Sequence, residues 1–251
     1  MKSLTLILGL ATLSTPALAA PVSFTGAEFA NLSGITFPTG TQTIIGNSLR
    51  IDATNTNSVI ASLPLDQFNA DVSNFEVQID ITRLFDDNRS ADQDLTIYLS
   101  DGRNLFGAQF FDATSTDVRG RVRRDELNSD GQSLISREFF DQSSAVPTAI
   151  NNSYLATTSV QATATNTIIA GDINNGAVSF TETVSTLFDP SNGGPSLVLI
   201  SNASIENYQI NSVTFTRGVS APTAVAEPGM LGGMALSLAA LGFGLYRRRF
   251  G

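Results

Sequence analysis

Phe75-Glu76-Val77-Gln78-Ile79-Asp80-Ile81-Thr82 alternates apolar and polar residues without a fault. A period of two belongs to an extended strand with one buried face, because successive side chains point to opposite sides of a sheet. The stretch predicts a half-buried strand with Phe75, Val77, Ile79 and Ile81 inward. Downstream, Leu95-Thr96-Ile97-Tyr98-Leu99-Ser100 repeats the pattern and ends at Asp101-Gly102, a hairpin-type turn signal. Leu197-Val198-Leu199-Ile200 is a continuous apolar run of the kind buried on both faces. Tyr208 and Ile210 share one parity, Val213 and Phe215 the other, and a β-bulge at Asn211-Ser212 brings all four to the same side. Further strands are predicted at 42–51, 58–63, 104–112, 118–124, 133–141, 166–170 and 177–185. Asp130-Gly131, Asn174-Asn175-Gly176 and Ser191-Asn192-Gly193-Gly194 punctuate them.

No 3.6-residue period persists outside the two ends of the chain. About ten short strands joined by polar turns argue for an all-β fold, an antiparallel two-sheet β-sandwich of jelly-roll type. A parallel β-helix is the competing architecture, and it needs a fixed-period repeat that this chain does not show.

Composition removes several chemistries. The 251 residues contain no cysteine, no histidine and no tryptophan. Disulfides, thiol nucleophiles, imidazole bases and Ser-His-Asp triads are therefore unavailable. The net charge is −9 overall. Residues 20–226 carry 10 arginines, no lysine and 22 carboxylates, a net −12. So acidic a surface opposes nucleic acid, whose phosphates require basic side chains to displace counterions. Without lysine, Ser-Lys dyads and Schiff bases are excluded from this region as well.

The first residues predict an export signal. Lys2 precedes the apolar stretch Leu4–Leu13, Thr15-Pro16 breaks it, and Ala17-Leu18-Ala19 supplies the small-x-small pattern for signal peptidase, with Ala17 and Ala19 at the cleavage positions. At the other end, the Pro-punctuated segment 218–228 leads into an apolar run without charge and then into Arg247-Arg248-Arg249. From 229 to 246 is 18 residues, roughly 27 Å as a helix, close to the hydrocarbon thickness of a bilayer. The arginines act as stop-transfer residues that keep the C-terminus cytoplasmic. The expected organisation is a signal peptide at 1–19, an ectodomain at 20–217, a linker at 218–228, a transmembrane helix at 229–246 and a basic tail at 247–251.

Glu227-Pro228, the apolar span and the terminal arginine cluster together resemble the PEP-CTERM sorting signal of Gram-negative bacteria. Val225-Ala226-Glu227-Pro228 stands where the usual motif is Val-Pro-Glu-Pro, so the first proline is missing. The resemblance covers only the last 27 or so residues. It implies export, inner-membrane anchoring, processing by an exosortase-type membrane protease, and a place at the cell surface or in the extracellular matrix among exopolysaccharide or biofilm.

Three segments could carry chemistry. Phe85–Asp94 (FDDNRSADQD) concentrates oxygen donors, and Asp86, Asp87, Asp92 and Asp94 are a candidate Ca²⁺ set, the only cofactor suggested. The competing reading is a solvated loop. Val118–Arg124 places Arg119, Arg121 and Arg123 on one strand face, suited to the carboxylates of an anionic glycan, with Val118 and Val122 opposite. If Asp130-Gly131 is a two-residue turn, Arg123 instead faces Glu138 across the hairpin. The Thr163–Thr167 stretch suggests a flat threonine array. Paired carboxylates for glycoside hydrolysis are not found at a suitable spacing in Glu76–Arg83. The expectation is a non-catalytic surface or matrix protein. A carbohydrate-binding module is the alternative, and a carboxylate-dependent glycoside hydrolase is the least favoured.

Overall fold

A computed structural model describes residues 20–53, 57–68, 72–84, 94–114, 117–128, 134–140, 144–148, 152–201 and 206–218. The chain divides into two compact units, Met1–Ser220 and Ala221–Gly251. The second unit lies outside the described residues, as do the predicted signal peptide and its Ala17 and Ala19. The sorting motif Val225–Pro228, the 229–246 span and Arg247–Arg249 also lie outside them. Among the described residues, no helix is long and apolar enough to cross a membrane.

In chain order the first strands are β1 (Val22–Thr25), β2 (Thr41–Ile45), β3 (Ser48–Ala53), β4 (Ser58–Pro64) and β5 (Phe75–Arg83). Then come β6 (Asp94–Ser100), β7 (Asn104–Thr114), β8 (Asp117–Leu127), β9 (Leu134–Phe140) and β10 (Val146–Pro147). The last are β11 (Ser153–Ala162), β12 (Thr167–Ile173), β13 (Val178–Val184), β14 (Ser196–Ser201) and β15 (Glu206–Arg217). A five-residue helix, α1 (Gly26–Ala30), follows β1 and is started by a capping box between Thr25 and Glu28.

The strands form two antiparallel sheets. An eight-stranded sheet runs β13-β12-β11-β5-β15-β3-β2, with β1 on β15; a seven-stranded sheet runs β10-β8-β7-β6-β14-β4, with β9 on β8. The chain crosses between sheets at β3–β4–β5–β6, at β10–β11 and again at β13–β14–β15. β14 is thereby inserted between β4 and β6, and β15 between β3 and β5. This interleaving makes an antiparallel β-sandwich that resembles jelly-roll folds. Its main core is a large cluster shared by the inner faces of both sheets, and a second, smaller one gathers Val59, Tyr98, Leu105, Val198 and Ile200 of the seven-stranded sheet, with Leu127 and Leu134 against it.

The alternation in β5 is realised: Phe75, Val77, Ile79 and Ile81 are all buried. The bulge in β15 falls between Ile210 and Ser212, and Tyr208, Ile210, Val213 and Phe215 are buried together. Asp101-Gly102 turns β6 into β7. The Asp101 carboxylate accepts from the Arg103 and Asn104 backbone N–H groups at 2.9 and 2.6 Å, and Gly102 takes a φ of +98°.

Four expectations change. The predicted strand 42–51 is a hairpin, β2 and β3, because Gly46-Asn47 turns the chain. β6 is buried on both faces, not one, so Thr96, Tyr98 and Ser100 are as enclosed as Leu95, Ile97 and Leu99. Arg123 faces Phe139 and Arg124 faces Glu138, one residue off the expected register, with an irregularity between Glu126 and Leu127. Thr163–Thr167 is no strand-face array. Thr163 closes the β11–β12 turn on Asn166, and Thr167 is buried with its hydroxyl donating to the Thr186 carbonyl at 2.8 Å.

Candidate functional site

The alternation of β8 sends Val118, Gly120 and Val122 to the core and Arg119, Arg121 and Arg123 to the outer face of the seven-stranded sheet. Strand register then fixes their neighbours. Asp94, Phe111 and Arg119 form one row across β6, β7 and β8; Thr96, Gln109 and Arg121 form the next; Tyr98, Gly107 and Arg123 form the third.

The third row is closed. Arg123 Nη2 lies 2.7 Å from Asp125 Oδ2, with the two side chains 1% and 0% exposed. The Tyr98 hydroxyl donates to the same carboxylate oxygen. Gly107 makes room for the tyrosine, since a Cβ there would lie 2.8 Å from Tyr98 Cδ1 and 2.0 Å from the Ile97 carbonyl oxygen. Burial first, and the Asp125 charge second, hold the Tyr98 phenol well above its ordinary value and keep it a neutral donor. A buried ion pair with an added hydrogen bond is a structural unit: breaking it strands a charge, so Arg123 is committed to Asp125.

The first two rows are open only in part: Asp94 is half-buried, while Thr96 and Gln109 are buried. Arg119, Arg121 and Phe111 are half-buried. The Arg121 guanidinium carbon sits 4.8 Å from the centroid of the Phe111 ring, a cation–π contact. Its Nε donates to Gln109 Oε1, and Gln109 Nε2 donates to Asp94 Oδ1. One amide thereby aligns a guanidinium and a carboxylate two strands apart. Partial burial lowers the Arg121 pKa, opposed by the Asp94 charge and assisted by Arg123; at neutral pH it stays cationic. Arg119 lies two residues along β8, about 6–7 Å away by strand rise. A face with two half-buried guanidiniums on one strand, one of them stacked on an aromatic ring, has the donors to hold a carboxylate-bearing chain.

Of the three predicted arginines, the structure leaves Arg119 and Arg121 on the accessible part of the face and closes Arg123 in. Asp86, Asp87 and Asp92 of the candidate Ca²⁺ set lie outside the described residues, and Asp94 is engaged by Gln109. Among the described residues, no three acidic side chains group as metal ligands would. Phe111, Gln109 and Tyr98 were missed as site residues. Their outward parity is readable in β6 and β7, but the rows appear only once the three strands are in register.

Other surfaces are distinct in character. The outer face of the eight-stranded sheet is polar and internally bonded. Asn211 Nδ2 donates to Asp80 Oδ1 at 3.0 Å and to Thr82 Oγ1 at 2.8 Å, and Gln78 Nε2 donates to Asn175 Oδ1 at 2.7 Å. Glu76 on this face is held by Arg217 and Thr216. Glu76 and Asp80 share the face but stand four residues apart on β5, about 13 Å by strand rise, beyond the separations glycosidase carboxylates use. An open groove lies between the β9 and β13 edges, lined by Glu138, Phe140, Thr183, Val184, Ser185 and Thr186.

No protein-family model matches the chain, and no curated protein sequence matches it. Solved structures similar to it include peanut lectin in complex with a 9mer peptide, 13% identical over 78% of this chain and 97% of that one, with a TM-score of 0.44. Carbohydrate-binding module CBM66 from Bacillus subtilis is 12% identical over 76% and 96%, with a TM-score of 0.40. A carbohydrate esterase from the Shiga toxin-encoding bacteriophage phi24B is 12% identical over 80% and 98%, with a TM-score of 0.47.

Proposed function

We propose that this chain is an exported, non-catalytic surface protein whose sandwich binds an acidic polysaccharide on the outer face of the seven-stranded sheet. The observation that carries the binding reading is the Arg119–Phe111–Arg121 constellation, with Gln109 and Asp94 fixing the Arg121 guanidinium. Guanidinium forks match carboxylates in two-point geometry, and the ring lends an apolar surface to a sugar face. The net −12 of residues 20–226 repels polyanions at long range and leaves recognition to this local cationic patch.

Retention on immobilised polygalacturonate against neutral dextran tests the site. The protein is expected to be retarded on the first and not on the second, with retention falling as salt rises. Equal behaviour on the two matrices refutes the reading. The address rests on the tail: Glu227-Pro228, the apolar run and Arg247–Arg249 support export and sorting by an exosortase-type protease. Changing Glu227-Pro228 to Ala-Ala is expected to leave full-length protein in the membrane fraction. Unaltered processing of that variant argues against sorting at this motif.

A further inference from the structure

We propose that β2 is an assembly edge, pairing antiparallel with β2 of a second copy of this chain so that two eight-stranded sheets become continuous. Edge strands offer a row of unsatisfied backbone donors and acceptors, and proteins usually blunt them with charge, proline or a covering segment. Most edges of this sandwich are blunted. β13 carries Glu182, β9 carries Arg137 and Glu138, and β10 ends on Pro147. β4 ends on Pro64 and is covered by a bridge in which Thr36 N–H donates to the Ser62 carbonyl at 2.8 Å and Ser62 N–H donates back at 2.9 Å.

β2 has none of these devices. Its five residues, Thr41-Gln42-Thr43-Ile44-Ile45, are all exposed, with Ile44 at 46% and Ile45 at 47%. Among the described residues it pairs with β3 alone. Residues 29–49 contain no charged side chain, in a region whose net charge is −12. Two copies repel each other over most of their surfaces, and this uncharged edge is where they can approach. That selects a second copy over a charged partner as the occupant.

The hairpin fixes the register. Ile45 pairs with Ser48 around Gly46-Asn47, and Gly46 has the positive φ of +62° that the first position of a type II′ turn needs. The closing pair of such a turn is hydrogen-bonded, so alternation gives β3 the backbone groups of Ile45, Thr43 and Thr41. Those of Gln42 and Ile44 point away from the sheet. Pairing about Thr43 matches them, Gln42 of each copy exchanging both N–H···O bonds with Ile44 of the other. Thr43 then faces Thr43 as a non-hydrogen-bonded pair, Cα atoms about 4.5 Å apart. Thr41 and Ile45 each lie about 13–14 Å from their own counterparts.

The native chain has no cysteine, so single cysteines report this geometry cleanly. Thr41→Cys, Thr43→Cys and Ile45→Cys are made in the full-length gene product and oxidised in whole extracts of the expressing cells. A disulfide-linked dimer is expected for Thr43→Cys, where the separation suits the bond, and not for the other two. Adding Ile44→Lys, at an exposed position, is expected to abolish the Thr43→Cys dimer. Equal cross-linking at all three positions, no cross-linking at Thr43→Cys, a disulfide to a different protein, or indifference to Ile44→Lys overturns the proposal. It does not depend on the glycan-binding reading.

Discussion

Gly120, between the two site arginines, is the place where a single methyl group most directly tests how β8 is held. The Phe180 ring lies between Gly120 of one sheet and Gly171 of the other. A Cβ on Gly120 would stand 2.1 Å from Phe180 Cε1 and 2.3 Å from Cζ; one on Gly171 would stand 2.2 Å from Cζ and 2.8 Å from the Ala108 Cβ. Gly→Ala at a backbone conformation that alanine tolerates normally stabilises by about 0.4–1 kcal/mol through the unfolded chain. Gly120→Ala is expected to destabilise instead, by about 1–3 kcal/mol of overpacking or somewhat more, because both glycines press the same ring. In a domain of this size that lowers Tm by roughly 2–4 °C per kcal/mol. Urea unfolding followed by far-UV circular dichroism measures it. Phe180→Ala alone is expected to cost about 3–5 kcal/mol. In the Phe180→Ala background the penalty of Gly120→Ala should vanish, since the ring it strikes is gone, giving a coupling of about 1–3 kcal/mol. A Gly120→Ala protein as stable as the native one, or strictly additive costs, refutes this packing argument.

Two further predictions concern buried polar groups. The Tyr98 phenol has its pKa raised, by burial first and Asp125 next. The folded state thus holds that proton more tightly than the unfolded chain, so stability is unaffected below about pH 10 and falls as pH rises beyond the unfolded value. Tyr98→Phe should flatten that alkaline fall while costing about 1.5–3 kcal/mol at neutral pH for the lost bond to a carboxylate; an unchanged alkaline slope in urea titrations contradicts it. Thr158 Oγ1 is buried in the core without a hydrogen-bond partner. Thr158→Val keeps the shape and removes the unsatisfied hydroxyl, and is expected to raise stability by about 1–3 kcal/mol; a loss of stability by the same assay counts against it.

Much of this fold was legible because several of its strands carry one apolar face. The alternation of β5, the bulge in β15 and the opposed faces of β8 follow from residue parity alone. β11 was missed because its inward set, Tyr154, Ala156, Thr158 and Val160, mixes small and polar residues and gives a weak period. The β8–β9 register slipped by one because the pairing shifts between Glu126 and Leu127: Leu127 meets Leu134 as expected, but Glu126 meets Ser136, and residue alternation carries no sign of such a shift. At the site, parity placed three arginines on one face but not their depth. Whether a guanidinium is buried depends on neighbours such as Tyr98 and Asp125, brought in by other strands or by the next outward position. Gly120 and Gly107 carry no pattern at all, and their necessity emerges only from the rings packed against them.

Calorimetric titration with polygalacturonate oligomers, comparing two face-specific double variants, addresses the binding site most directly. Arg119→Ala/Arg121→Ala removes the two half-buried guanidiniums from the outer face of β8, while Gln78→Ala/Thr157→Ala alters the half-buried polar face of the other sheet. Loss of binding in the first pair and native binding in the second is the expected result. Native binding by the arginine-stripped protein, with binding lost from the opposite face, would contradict it.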